Sequence, residues 1–439
     1  MKVKTPAYKP RSTHRQAFLQ WLFRSVKTMR YGVLKYFYAS LNEIPSSSDI
    51  DLIIDPKELK QWQKLLESGP GIDKVKFSTR FNGCYVEVFF SNQEYLELDL
   101  LYQLRWRDLI FLDCAELLDR VSPNEEGIKV VSTADSFSYL IAFFTLNNCP
   151  VPAKYQSYFG TLNAKEKLTV LDRFATQFEL ENIEEASLFI NDWYREAMER
   201  SVRRRRENKG LSRWKHYLQV AIDSFNQSQP TITFSGVDGA GKSTIIEKTK
   251  ELLTEKYRRE VVVLRQRPSI LPILSSIKYG KEGAEKRAAT TLPRQGTNKS
   301  RVSSVIRFVY YLMDYLLGQA YVYWTVNRRG KLLLYDRYYF DYIVDSRRAN
   351  INLGPKITAP FYRLIRKHEI NILLYADPKV ILARKQELTE ADISSLTQSF
   401  LNLFETLQAK SPRQLYLPIQ NVEIAQTMGK IEKAFITKL

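Results

Sequence analysis

One stretch limits the fold of this chain more than any other. Gly236-Val237-Asp238-Gly239-Ala240-Gly241-Lys242-Ser243-Thr244 fits the spacing G-x-x-x-x-G-K-[ST]. It lies between an apolar run of β-forming residues, Thr231–Ser235, and an apolar-periodic helical pattern over 243–256. A strand that turns through small residues straight into a helix is half of a βαβ unit. The successive amides of such a turn, with the positive end of the helix behind them, form a nest for anionic oxygens. Lys242 follows at the distance that reaches terminal phosphates, and the Ser243 hydroxyl is placed to ligate Mg2+. Residues 236–244 are therefore expected to bind a nucleotide by its phosphates.

The rest of the second half supports a parallel sheet. Strands are expected at 261–265, 332–336, 370–376 and 415–419, alternating with helices at 303–326, 377–387 and 422–438. That alternation predicts an α/β, doubly wound sheet whose ligands sit at the carboxyl ends of its strands. The run Leu332-Leu333-Leu334-Tyr335 ends there in Asp336-Arg337-Tyr338. A carboxylate at the tip of a buried strand can hold Mg2+ and its hydration shell, and the neighbouring guanidinium can grip an acceptor phosphate bidentately. Arg384 and Lys385, one helix beyond the fourth strand, are candidates to fold over a transferring phosphoryl group. Helical surface charge explains that pair nearly as well. Arg301 and Arg307, on the long helix, are further candidates for an acceptor clamp.

The first half reads as α+β. Strands are expected at 31–38, 49–54, 75–79, 85–90 and 95–101, with a helix near 56–66 and a helical stretch from 107 to 198. Asp49 and Asp51 stand two apart on one strand, hence on one face. Asp99, with Glu97 beside it on another strand, is placed to complete a carboxylate set for a two-metal site. Asp55-Pro56-Lys57-Glu58 is a helix start, so Asp55 goes to structure. The expected division is 1–110, α+β; 111–200, helical; 201–229, a basic linker containing Arg203-Arg204-Arg205-Arg206; and 230–439, the nucleotide-binding domain.

The chain is 44% hydrophobic, 13% aromatic and 26% charged, a composition that excludes a disordered polymer. Its formal net charge of +18 favours polyanionic company, leaving nucleotides, nucleic acid and an anionic membrane face all open. The three cysteines, Cys84, Cys114 and Cys149, lie far apart, which argues against zinc and against a disulfide framework. The most apolar long window, 308–326, is interrupted by Asp314 and Gln319, so it is expected as a buried or groove-lining helix rather than a membrane span. No secretory leader is evident near the amino terminus, and the expected location is the cytoplasm.

The loop with its internal Asp238, Asp336-Arg337-Tyr338 after a buried strand, and the Arg-bearing segment that follows resemble the thymidylate kinase family of P-loop enzymes over residues 230–439. The resemblance implies ATP and Mg2+ as cofactors and transfer of the γ-phosphoryl group to a nucleoside monophosphate. It implies Asp238 facing the acceptor sugar, Lys242 and Ser243 on the phosphates and metal, Arg337 on the acceptor phosphate and Arg384 over ATP. Residues 266–295 show no counterpart of the family's nucleobase-binding segment, and Tyr339-Phe340-Asp341-Tyr342 is bulkier and more acidic than its usual sequence. Asp49, Asp51 and Asp99 resemble the carboxylates of the polymerase beta-type nucleotidyltransferase superfamily, although Ala39-Ser40 stands where that family has Gly-Ser. Three readings remain open: a kinase with a nucleotidyltransferase-like domain, a bifunctional enzyme activating a sugar, and a nucleotide-binding module whose basic surface takes nucleic acid or membrane. A homodimer is also left open.

Overall fold

Alternating apolar residues send a strand's side chains to opposite faces, and the first half uses both faces. The computed structural model describes residues 13–181, 183–208, 212–226, 229–268, 270–271 and 300–439. The chain divides into two units, Met1–Asp223 and Ser224–Leu439.

In the first unit, β1 (Tyr31–Val33), β2 (Ile50–Ile54), β3 (Ile72–Arg80), β4 (Gly83–Phe90), β5 (Tyr95–Leu101), β8 (Ser122–Pro123) and β9 (Lys129–Val130) form one mixed sheet. Its order is β3-β4-β5-β2-β1-β9-β8, while β6 (Leu104–Trp106) and β7 (Leu109–Leu112) make a separate hairpin. Ile50, Leu52 and Ile54 of β2 join Phe18, Leu22, Trp62 and Leu66 in a core on one face. Ile53 turns the other way, into a core built with Phe137, Leu140, Phe174 and Met198 from the helices Thr133–Leu146, Ala164–Phe178 and Asn191–Arg204. Asp51 shares the parity of Ile53, so it lies on the helical face. Because β2 and β5 run parallel with Asp51 opposite Asp99, both carboxylates arrive there together.

Two expectations are corrected in this unit. The first strand stops at Val33 rather than reaching residue 38, because Lys35 takes a left-handed backbone (φ 55°) and turns the chain away. Ala39-Ser40 therefore lies outside the strand and leads into the short turn Leu41–Glu43. The stretch after 107 is not helical throughout, since β7, β8 and β9 precede the helices. Asp55 caps as expected, accepting from the Lys57 amide at 2.9 Å, and Glu58 accepts from the Arg30 amide at 2.9 Å.

In the second unit, β10 (Thr231–Ser235), β11 (Val261–Arg265), β12 (Leu332–Asp336), β13 (Ile370–Tyr375) and β14 (Leu415–Gln420) form a sheet in the order β11-β12-β10-β13-β14. Every pairing is parallel. β10 is central and fully buried, as the middle strand of a parallel sheet covered on both faces must be, whereas the edge strands β11 and β14 keep partly exposed residues. The chain leaves β10 toward one edge and leaves β12 toward the other, so a switch point opens between these neighbours. A helix that had not been expected, Glu390–Lys410, begins with Thr389 and Asp392 capping each other. The long helix Arg301–Thr325 packs Phe308, Tyr311, Leu312 and Tyr315 inward and exposes Val302, Val305, Ile306, Val309, Leu317 and Tyr321. Asp314 is wholly buried in this helix against Arg267, whose Nη1 lies 2.7 Å from its carboxylate, and it also accepts from the Leu271 amide. Among the described residues no helix is long and apolar enough to cross a membrane.

Candidate functional site

The Gly-rich turn is held by contacts that permit no side chain at two of its positions. Gly236 leaves β10 at φ 133°, and a Cβ there would stand 2.0 Å from the Leu374 carbonyl oxygen of β13. Gly241 ends the turn at φ 89°, where a Cβ would meet Asn421 Nδ2 at 2.5 Å. Asn421 braces the turn by donating to the Ala240 carbonyl at 2.9 Å, and Thr427 in turn donates to Asn421 at 3.1 Å. The helix Lys242–Glu255 starts at once, so its free amides point into the turn.

Lys242 is buried and folds back over the turn, donating to the Gly236 and Val237 carbonyls at 2.9 and 2.8 Å. Burial, and then the Arg337 guanidinium, push its ammonium down to about 7, against smaller opposing effects of Asp341 and Asp336. Its charge is held in poor surroundings, which an anion in the turn would improve.

Parallel pairing of β10 and β12 brings the second half of the site alongside. Phe234 stands opposite Asp336, and the Arg337 amide continues the ladder to the Phe234 carbonyl at 2.8 Å. Arg337 then bends into a left-handed conformation (φ 73°) and turns its buried guanidinium under the loop. One nitrogen pairs with Asp341 at 2.6 Å and the other with Asp238. Asp238 uses its second oxygen for Arg348, from the turn Ser346–Ala349. Asp336 pairs with the exposed Arg265 at 3.4 Å. The bulky run after Arg337 is explained by packing, since Tyr338, Tyr339, Phe340 and Tyr342 are core and Asp341 alone turns to the arginine.

These groups line one cavity of about 700 Å³. Of the expected residues, Asp238, Gly239, Gly241, Lys242, Ser243, Thr244, Asp336, Arg337 and Arg384 face it, whereas buried Val237 and Ala240 pack beneath the turn. Arg384 is exposed and donates to the Gly239 carbonyl at 3.4 Å. Arg301 and Arg307 are not among the described residues lining the cavity, and most of 266–295 lies outside the described residues. Arg265, Arg348 and Asn421 were missed by sequence reasoning; only the carboxyl-end position of Arg265 on its strand offered a signal. Six basic side chains against two carboxylates make the cavity a receptor for a polyanion.

The first unit has its own cavity of about 310 Å³, on the helical face of its sheet, where Asp49, Asp51 and Asp99 do come together. Tyr85, Tyr139, Phe111, Phe143 and Tyr155 supply its walls. Burial foremost, then Asp49 and Glu97, raise the Asp99 carboxyl to about 7. Lys35, another residue that sequence reasoning missed, places its ammonium on Asp51. Glu97 is held by the Tyr95 hydroxyl at 2.7 Å and is not among the described lining residues.

The second unit is thus a parallel α/β fold carrying a cationic cavity at the carboxyl ends of its central strands. No protein-family model matches the chain, and no curated protein is detectably similar to it. Among solved structures it is similar to a thymidylate kinase from Ehrlichia chaffeensis, at 16% identity and a TM-score of 0.32, over 47% of this chain and 98% of that one.

Proposed function

We propose that the second unit is an ATP- and Mg2+-dependent phosphotransferase that moves the γ-phosphoryl group of ATP to a nucleoside monophosphate or a related small phosphorylated acceptor. The observation that carries this reading is the meeting, in one cavity, of Lys242 on its Gly-rich turn with Asp336-Arg337 at the tip of the neighbouring strand. A plain anion pocket would need the cations alone. The exposed Ser243 hydroxyl and the Asp336 carboxylate line the same cavity, and a few oxygen donors of this kind suit Mg2+, which keeps most of its waters. Bound there, the ion would offset charge on the β- and γ-oxygens.

The chain's own residues supply the rest. The turn's amides and Lys242 hold the donor phosphates, Lys242 exchanging two carbonyl partners for phosphate oxygens. Arg337 and Arg348 hold the acceptor phosphate, and Asp238, which engages both, fixes their spacing and faces the acceptor's sugar. Arg384 and Lys385 close over the transferring group. In the step, the bond from the γ-phosphorus to the ADP oxygen breaks as a bond to an acceptor phosphate oxygen forms. That oxygen is already ionised at neutral pH, so no general base is required. The products are ADP and the acceptor with one more phosphoryl group.

The test uses the full chain with ATP, Mg2+ and a panel of nucleoside monophosphates and sugar phosphates, following ADP release. One acceptor class should stimulate release, and Lys242→Ala should abolish it. Release indifferent both to every acceptor and to Lys242→Ala refutes the reading.

A further inference from the structure

The carboxylate cavity of the first unit already contains a cation. Lys35, turned inward where the chain leaves β1, lays its ammonium on Asp51, a side chain only 5% exposed. Lys35, Asp49, Asp51 and Asp99 all line the cavity. A two-metal transferase needs such carboxylates as shared ligands of divalent ions, which carry in the triphosphate and balance its charge. With Lys35 lying on Asp51, no three acidic, histidine or cysteine side chains among the described residues are arranged to hold a metal ion. An ion entering at Asp51 would have to displace the ammonium of partly exposed Lys35, which already balances the charge of this buried carboxylate.

The remaining lining argues against a bare phosphate as well. Apart from Lys35, the basic group there is Arg105, whose guanidinium already donates to Gln103 at 2.7 Å and to the Asp108 carbonyl at 2.9 Å. Three carboxylates would confront the anion. The same wall suits hydroxyl donors: carboxylates and the amides of Asn82 and Gln103 accept from them, and Tyr85, Tyr139 and Tyr155 offer flat faces for a ring.

We propose that Lys35 stands where a divalent cation would have to sit, so that the first unit binds no catalytic metal, rejects metal-bound triphosphate and takes an uncharged ring bearing hydroxyl groups. This is independent of the kinase reading, because every residue involved belongs to the first unit.

The test is Mn2+ uptake by the full chain without nucleotide, read by electron paramagnetic resonance in a Lys242→Ala background. The background chain and its Asp99→Asn derivative should leave the same free Mn2+ signal. Adding Lys35→Met should create one further site, and adding Asp99→Asn to that variant should remove it. Mn2+ uptake that Asp99→Asn alone abolishes overturns the proposal, as does a folded Lys35→Met protein with no gain. If Lys35→Met does not fold, the comparison of the first two proteins decides. Ligand-observed NMR with uncharged monosaccharides and nucleosides should find binding that Asp99→Asn weakens at least about tenfold. A panel in which nothing binds overturns the ligand assignment.

Discussion

On the proposed reading, Lys242 would make nucleotide binding a proton-coupled event. Its ammonium is pushed down to about 7 by burial and by Arg337, and phosphate oxygens in the turn would restore it to its ordinary range near 10. At pH 8 only about one free molecule in ten carries that proton, so binding takes up about 0.9 proton, against about 0.1 at pH 6. The sign follows directly: the bound state holds the proton more tightly, so affinity is complete below pH 7 and falls as pH rises through it. Between pH 6 and pH 8 the loss is about tenfold, or about 1.4 kcal/mol. Calorimetric titration of Mg2+·ATP in HEPES and in Tris, at each pH, counts the protons from the buffer dependence of the heat. Lys242→Arg keeps the charge but cannot titrate, and so isolates the ligand's own ionisation. Equal affinity at pH 6 and pH 8, with no buffer-dependent heat in the wild type beyond that of the arginine variant, would refute the argument.

Other substitutions probe the remaining geometry. Asp99→Asn should stabilise the protein at pH 8 by up to about 4 kcal/mol and change little at pH 4, because a carboxyl raised to about 7 loses its contribution as pH rises through that value. Thermal midpoints at the two pH values check this, and an unchanged difference contradicts it. Gly236→Ala forces a Cβ onto the Leu374 carbonyl at a strongly positive φ, so it should destabilise the second unit by about 3 kcal/mol or more and remove nucleotide binding in the folded fraction. Circular dichroism melting with and without ATP reports both effects. Arg348→Gln should raise the acceptor KM by about tenfold or more while leaving ATP affinity intact, since Arg348 reaches Asp238 and not the turn's carbonyls; equal losses in both would place it on the donor side.

How much of this was legible depends on what each residue answers to. The strands at 231–235 and 332–336 match the expected bounds because an apolar run buried on both faces ends where burial ends, and 261–265 matches through its β-branched valines although it is only partly buried. The turn and Asp336-Arg337 were equally legible, being local patterns at strand ends. β1 was overextended because residues 34–38 are good strand formers and the turn at Lys35 is marked by neither Gly nor Asn. Arg348 gave no signal: a three-dimensional path returns it to Asp238 from more than a hundred residues away in sequence. The helix Glu390–Lys410 was overlooked since only Ile393, Phe400 and Phe404 of it are buried, a stripe too thin to stand out. Asp314 was read as a break in an apolar window, and its partner Arg267 could not be inferred from spacing.

The ridge of exposed aliphatic side chains along Arg301–Thr325 governs how the protein behaves in the test tube. With a formal charge of +18, copies repel one another at low ionic strength, where the screening length is about 30 Å at 0.01 M. At 1 M salt that length shrinks to about 3 Å, and charge then no longer keeps the ridges of two copies apart. Salt added during purification to strip adventitious polyanions therefore also removes the force that keeps molecules apart, so colloidal behaviour and cleanliness pull in opposite directions for this chain.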